Sequence, residues 1–197
     1  MLGLSIPSHL HSLLAQAQSA RDTSNWTLAV DLFNRAAQLA PTAPEIRHNL
    51  ALCYFGLGQV NLALRYATEV IYQQPQFWQS RVIIGKAQKQ LGQAEAAYAS
   101  FMEVLRDDPM NGPSLLGMAD LALNEFGEPL TAIKLVTPLC QSVDYQRDAQ
   151  LTILMASLYD RDISALSLVR RIMDFSRTTL RLPHFEFSST RTVRASL

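Results

Sequence analysis

The chain has 197 residues, enough for one domain or one repeat array, and 48% of them are hydrophobic, so a substantial core is available. Its 17 basic and 17 acidic side chains cancel, which excludes a global field favouring nucleic acid or a membrane surface. Residues Met1 to Pro7 show no basic leader and no long apolar run, and Cys53 and Cys140 read as buried free thiols; the expectation is no membrane partner and a reducing, cytoplasmic setting.

Residues 8–22 are predicted to form a first helix and 25–39 a second, with Ser24 or Asn25 as its cap and Trp26 opening its apolar face. The next helix is expected over 44–57. Thr42 and Glu45 stand at capping-box spacing, Pro44 fits the first turn, and Gly58 supplies a left-handed stop. Its partner follows over 61–74, where Pro75 blocks continuation. A third pair covers 78–109. A fourth starts near Asn111, a suitable cap, and Pro138 is expected to end or kink its second helix near Val136 or Thr137. Residues 146–159 read as a helix carrying Leu151, Leu154, Met155 and Leu158 at helical spacing. Residues 163–181 read as a terminal capping helix with Arg170, Arg171, Asp174 and Arg177 outward, and Pro183 opens a tail over 183–197.

These elements recur. Pro41, Pro75 and Pro109 are 34 residues apart, and so are Ala17, Ala51, Gly85 and Ala119. Ala29, Ala63 and Ala97 keep the same step, with Ala132 one residue late. A period near 34 marks an array of helix–turn–helix units. Ala51 and Ala63 are expected to face each other across the turn of their unit. Leu50, Tyr54 and Val70, then Ile84, Phe101 and Val104, would fill the volume around the small residues.

The pattern resembles the tetratricopeptide repeat family. Unit two supplies Leu50-Ala51, Tyr54, Gly58, Ala63 and Pro75; unit three supplies Ile84-Gly85, Gly92, Ala97, Phe101 and Pro109. Unit one supplies Ala17, Ala29, Phe33, Ala36 and Pro41. The chain departs at Arg47 and Arg81, where the family often has Trp, and at Gln88, where it has Tyr. The resemblance implies an all-α, right-handed α-α superhelix over 8–182. Its units would span about 8–41, 44–75, 78–109 and 111–143, followed by an irregular one over 146–181.

No phosphate loop, dinucleotide fingerprint or paired-histidine zinc helix is present. His48 and Cys53 are five apart on one helix, about 140° around it, so they form no local nucleophile–base pair. The expectation is a protein without enzymatic activity, cofactor or metal. The resemblance implies binding of a protein or peptide on the concave face, which the first helix of each pair lines. By family offset that face would carry His11, Leu14, Gln18 and Arg21 in unit one, and Glu45, His48, Asn49, Leu52 and Phe55 in unit two. Unit three would add Gln79, Val82, Ile83, Lys86, Lys89 and Gln90; unit four, Leu116, Asp120, Leu123 and Asn124.

Leu52, Phe55 and Ile83 suggest an apolar anchor. Lys86 and Lys89 suggest an acidic contact on the ligand, a plainly solvated pair being the other reading. Asn49 matches the asparagine of the family's carboxylate clamp, but the other clamp offsets, Leu14, Gln18, Gln79 and Ile83, hold no base. Asn49 also matches an asparagine that recurs in repeats of O-linked N-acetylglucosamine transferases. The alternative reading is therefore the substrate-recruiting front of a larger bacterial glycosyltransferase.

Overall fold

The structure is a computed structural model that describes residues 8–159 and residue 167. The helix expected over 163–181 falls outside those residues except at Ser167, and the tail falls outside entirely. Among the described residues there are nine α-helices and no strand. The helices are α1 (Ser8–Asp22), α2 (Trp26–Leu39), α3 (Pro44–Gly56), α4 (Val60–Gln73), α5 (Trp78–Gln90), α6 (Ala94–Asp107), α7 (Gly112–Asn124) and α8 (Pro129–Val136). A short 3-10 helix, Thr137–Gln141, follows and leads to α9 (Gln146–Tyr159). Each helix packs on the next in sequence, and α3, α5, α7 and α9 also touch in succession. That second set of contacts makes a continuous face from the odd-numbered helices.

The repeat is visible in the backbone. Gly58 and Gly92 both take φ 72°, and Gly127 takes φ 67°, closing α3, α5 and α7. In the first two of these turns the amide beyond the glycine reaches back to close the helix end: Gln59 N donates to Tyr54 O at 2.9 Å, and Gln93 N to Gln88 O at 2.9 Å. In unit one the same left-handed position is held by Ser24 at φ 57°, and Asn25 N donates to Ala20 O at 2.8 Å. The ends of the even-numbered helices repeat as well. Ala40, Gln74 and Asp108 adopt φ −138°, −136° and −131°. Each precedes a proline, whose ring pushes its predecessor out of the helical region.

Helix starts follow the capping residues where these are in register. Asn25 Oδ1 accepts from Leu28 N at 3.4 Å, and Asn111 Oδ1 from Ser114 N at 3.2 Å. The capping box expected from Thr42 and Glu45 does not form. The half-helical position before Pro44 falls to Ala43, at φ −72° and ψ 111°, with no side-chain cap bond. A residue before proline is held extended, so Thr42 lies one residue too early to cap. Pro138 acts as expected: α8 stops at Val136 and the chain tightens into the 3-10 helix.

The interior is built on small residues. Ala51, Ala63 and Ala67 are fully buried together with Ile83 between α3, α4 and α5. One unit later Phe101 fills the corresponding space. Its ring lies where a Cβ on Gly85 would come within 2.7 Å and one on Gly117 within 2.5 Å. Two glycines on successive odd helices thus make room for one phenyl ring.

The Arg residues standing at the family's Trp position are paired. Arg47 Nε lies 3.7 Å from Glu69, and Arg81 forms an ion pair with Glu103. Both arginines and both glutamates are a full repeat apart, so the pair ties the first helix to the second in each unit. In α9 the buried residues are Ala149, Ala156 and Ser157, with Ile153 packed alongside them on the core, whereas Leu151, Met155 and Leu158 are exposed. Of the apolar residues read at helical spacing, Leu154 alone is partly buried.

Candidate functional site

The face formed by the odd-numbered helices carries a chain of polar bonds between them. The Arg21 guanidinium on α1 donates to Asn49 Oδ1 on α3. His48 Nδ1 lies 2.9 Å from Ser80 Oγ on α5, and Lys89 Nζ lies 2.5 Å from Asp120 Oδ2 on α7. Each bond links one unit to the next, so these side chains fix the spacing of the helices.

Two hollows open on this face. The larger, of about 560 Å³, lies between α3, α5, α7 and α9. Phe55, Leu116, Pro113 and Tyr145 give it apolar walls; Lys86, Lys89, Gln90, Asp120, Asp148 and Thr152 give it polar ones. The smaller, about 430 Å³, is lined by Arg21, Asp22, Ser24, Trp26, Leu52 and Phe55. Phe55 lines both hollows. Trp26 sits so close to Gly56 that a Cβ there would come within 2.6 Å of the indole.

The electrostatics distinguish the two lysines. Lys89 is engaged by Asp120. Lys86 is half-buried and has no hydrogen-bonding or ion-pair partner among the described residues. Burial and the neighbouring Lys89 charge hold its pKa below the usual lysine value. Burial, helped by the Arg21 guanidinium, pushes His48 down to about 4, so its imidazole is neutral at pH 7. Burial pushes the Cys53 thiol up to about 11, leaving no thiolate to act as a nucleophile near neutral pH. Both cysteines are free. Among the described residues no group of three His, Cys, Asp or Glu side chains is placed to hold a metal ion. No described helix is long and apolar enough to cross a membrane.

The tetratricopeptide repeat family profile matches residues 44–77 and 79–109. The match covers the two units from α3 to α6. Solved structures agree in fold. A thermophilic tetratricopeptide repeat protein of Thermus thermophilus is similar at TM-score 0.72 and 17% identity, over 87% of this chain and 90% of that one. MamA from Desulfovibrio magneticus RS-1 is similar at TM-score 0.70 and 12% identity, over 89% and 99%. The first tetratricopeptide repeat domain of Spaghetti (RPAP3), bound to the HSP90 peptide SRMEEVD, is similar at TM-score 0.55 and 18% identity, over 61% and 97%. These likenesses show the fold, an all-α superhelix.

The side chains expected on the concave face separate into four groups. Phe55, Lys86, Lys89, Gln90, Leu116 and Asp120 do come together around the larger hollow, and Leu52 lines the smaller. His48 and Asn49 are taken up by bonds to Ser80 and Arg21. Glu45 and Gln79 are exposed and line neither hollow.

Val82 and Ile83, expected on the groove, are buried at 6% and 3% exposure. Ile83 fills the space left by Ala51, Ala63 and Ala67, and Val82 packs in the Phe101 cluster. Small residues opposite an apolar side chain draw it into the core. Leu123 is buried as well. Sequence reasoning missed Tyr145, Asp148 and Thr152. They lie on and before α9, where the 34-residue register has lapsed and no family offset points to them.

Proposed function

We propose that this chain is a non-catalytic protein–protein interaction module that binds an extended peptide segment along the concave face. The observation that carries the reading is the position of Phe55. A half-buried aromatic ring that lines both hollows offers one apolar anchor to a segment lying across them. Seating one apolar side chain there removes apolar surface from water at roughly 25 cal/mol per Å². The Spaghetti domain, which shares the fold, is bound to a peptide, and this supports peptide binding here.

The test is capture of a partner, first isolated on the wild-type chain and identified by mass spectrometry. Phe55→Ala is expected to weaken capture at low and high salt alike, since the lost contact is apolar. Lys86→Glu combined with Lys89→Glu is expected to act mainly at low salt, where exposed charge is least screened. Tyr72, 89% exposed on α4, supplies the control, and Tyr72→Ala is expected to leave capture unchanged. Loss of capture in Tyr72→Ala with none in Phe55→Ala would place the binding surface on the opposite face.

A further inference from the structure

We propose that Lys86 selects the ligand: it receives an Asp or Glu side chain of a peptide that passes through the larger hollow and seats a neighbouring apolar side chain on Phe55 and Leu116. This rests on the concave-face reading above and adds the chemistry of the partner.

Lys86 and Lys89 lie three residues apart on α5 and both line the hollow. Only Lys89 has its charge answered, by Asp120. The Lys86 side chain is half-buried, with no described acceptor within hydrogen-bond reach. Asp148 also lines the hollow but is exposed and forms no ion pair with Lys86. An unpaired, partly desolvated cation is unfavourable in the free protein, and its lowered pKa reports the same penalty. A carboxylate arriving in the hollow removes that penalty.

The shape of the site decides which carboxylate. Phe55 also lines the second hollow, together with Trp26 and Leu52. A segment can therefore continue past Lys86 in that direction. Such a track suits a side chain within a segment and needs no chain end. A terminal carboxylate on Lys86 would end the chain there and leave the second hollow unfilled. Apolar walls at Phe55 and Leu116 flank the cation, so the fitting motif pairs an acidic residue with a large apolar residue a few positions away.

The experiment is selection of a random-peptide phage library on the purified full chain, followed by titration of a synthetic recovered peptide with both ends blocked. Recovered sequences are expected to pair Asp or Glu with a large apolar residue. The blocked peptide is expected to bind wild type and to lose about tenfold in affinity for Lys86→Met, as expected when a charged hydrogen bond is removed. Lys86→Gln is expected to match Lys86→Met, as is replacing the peptide's acidic residue by its amide. Recovered peptides without acidic bias, equal binding by both Lys86 variants and wild type, or binding that requires a free C-terminus would each overturn the proposal. All three would leave the concave-face reading standing. Failure to recover any peptide, or recovery of peptides that bind Phe55→Ala as tightly as wild type, would overturn both.

Discussion

Lys89 on α5 is bonded to Asp120 on α7 at 2.5 Å, and this contact leaves Lys86 as the unanswered cation of the hollow among the described residues. The two ends of the bond are 30% and 44% exposed, so its own contribution to stability is small, on the order of 0.5 kcal/mol. Its larger effect is on the field at the site. Asp120→Asn is expected to shift the melting temperature little while strengthening the binding of acidic peptides at low salt. Titration at two ionic strengths checks this; weaker binding at low salt would mean that Asp120 itself contacts the ligand.

Lys86 is expected to hold the free protein below its attainable stability. Its pKa is lowered, so at pH 7 the folded state keeps the charge at a cost the unfolded chain does not bear, and this cost fades as pH rises through the folded pKa. Lys86→Met is expected to raise the melting temperature at pH 7 by about 1–3 °C, and by less near pH 10. A lower melting temperature would show that the ammonium has a stabilising partner.

His48 gives a pH signature of the same sign in the acid range. Its folded pKa of about 4 lies below the ordinary histidine value of 6.5. Between those values the unfolded chain takes up a proton that the native state refuses, so stability falls as pH drops from 6.5 toward 4. His48→Gln keeps a polar group facing Ser80 but does not titrate there. Melting curves from about pH 7 to about pH 4.5 are expected to fall less steeply for the variant than for wild type. Parallel curves would indicate that His48 is protonated in the folded state.

The Phe101 ring predicts sharp intolerance at its two glycines. Gly85→Ala and Gly117→Ala each place a Cβ within van der Waals overlap of the ring, at 2.7 and 2.5 Å. Overpacking of that kind costs roughly 1–3 kcal/mol, against the small gain in helix propensity from Ala. Adding Phe101→Leu to Gly117→Ala is expected to recover part of the loss, since a smaller side chain leaves room. Denaturant melts of the single and double variants measure the coupling; strict additivity would mean that the contact is not what restricts position 117.

Ser24 is a site for a gain in stability. It holds φ 57°, where its counterparts one and two units later are Gly58 and Gly92. A residue with a Cβ pays about 1 kcal/mol to sit there, part of which Gly returns through unfolded-state freedom. Ser24→Gly is therefore expected to stabilise by about 0.5 kcal/mol. A drop in denaturation midpoint would mean that the serine side chain has a compensating contact.

The sequence was most legible where one residue type has one structural use. Gly58 and Gly92 mark left-handed turns, Pro75 and Pro109 mark helix ends, and Ala51 and Ala63 mark close contacts, so the helix pairs could be read from spacing alone. Pairings between units were harder. The 34-residue step of Arg47 to Arg81 and of Glu69 to Glu103 is present in the sequence, but which side chains meet depends on how the helices cross. The site was legible in part for the same reason. Family offsets place Phe55, Lys86 and Leu116 on one face, yet they do not reveal that Ala51, Ala63 and Ala67 leave room for Ile83 to sink inward. Nor do they reach Tyr145 and Asp148, which belong to a unit that has lost the repeat.

The most direct test of the account is a difference map of amide hydrogen exchange for the full chain with and without a peptide selected on it. The account predicts added protection in the segments that line the two hollows, at 52–55, 86–90, 116–120 and 145–152, and little change in α4 and α6. Protection concentrated in α4 and α6, with 52–55 and 86–90 unaltered, would contradict it.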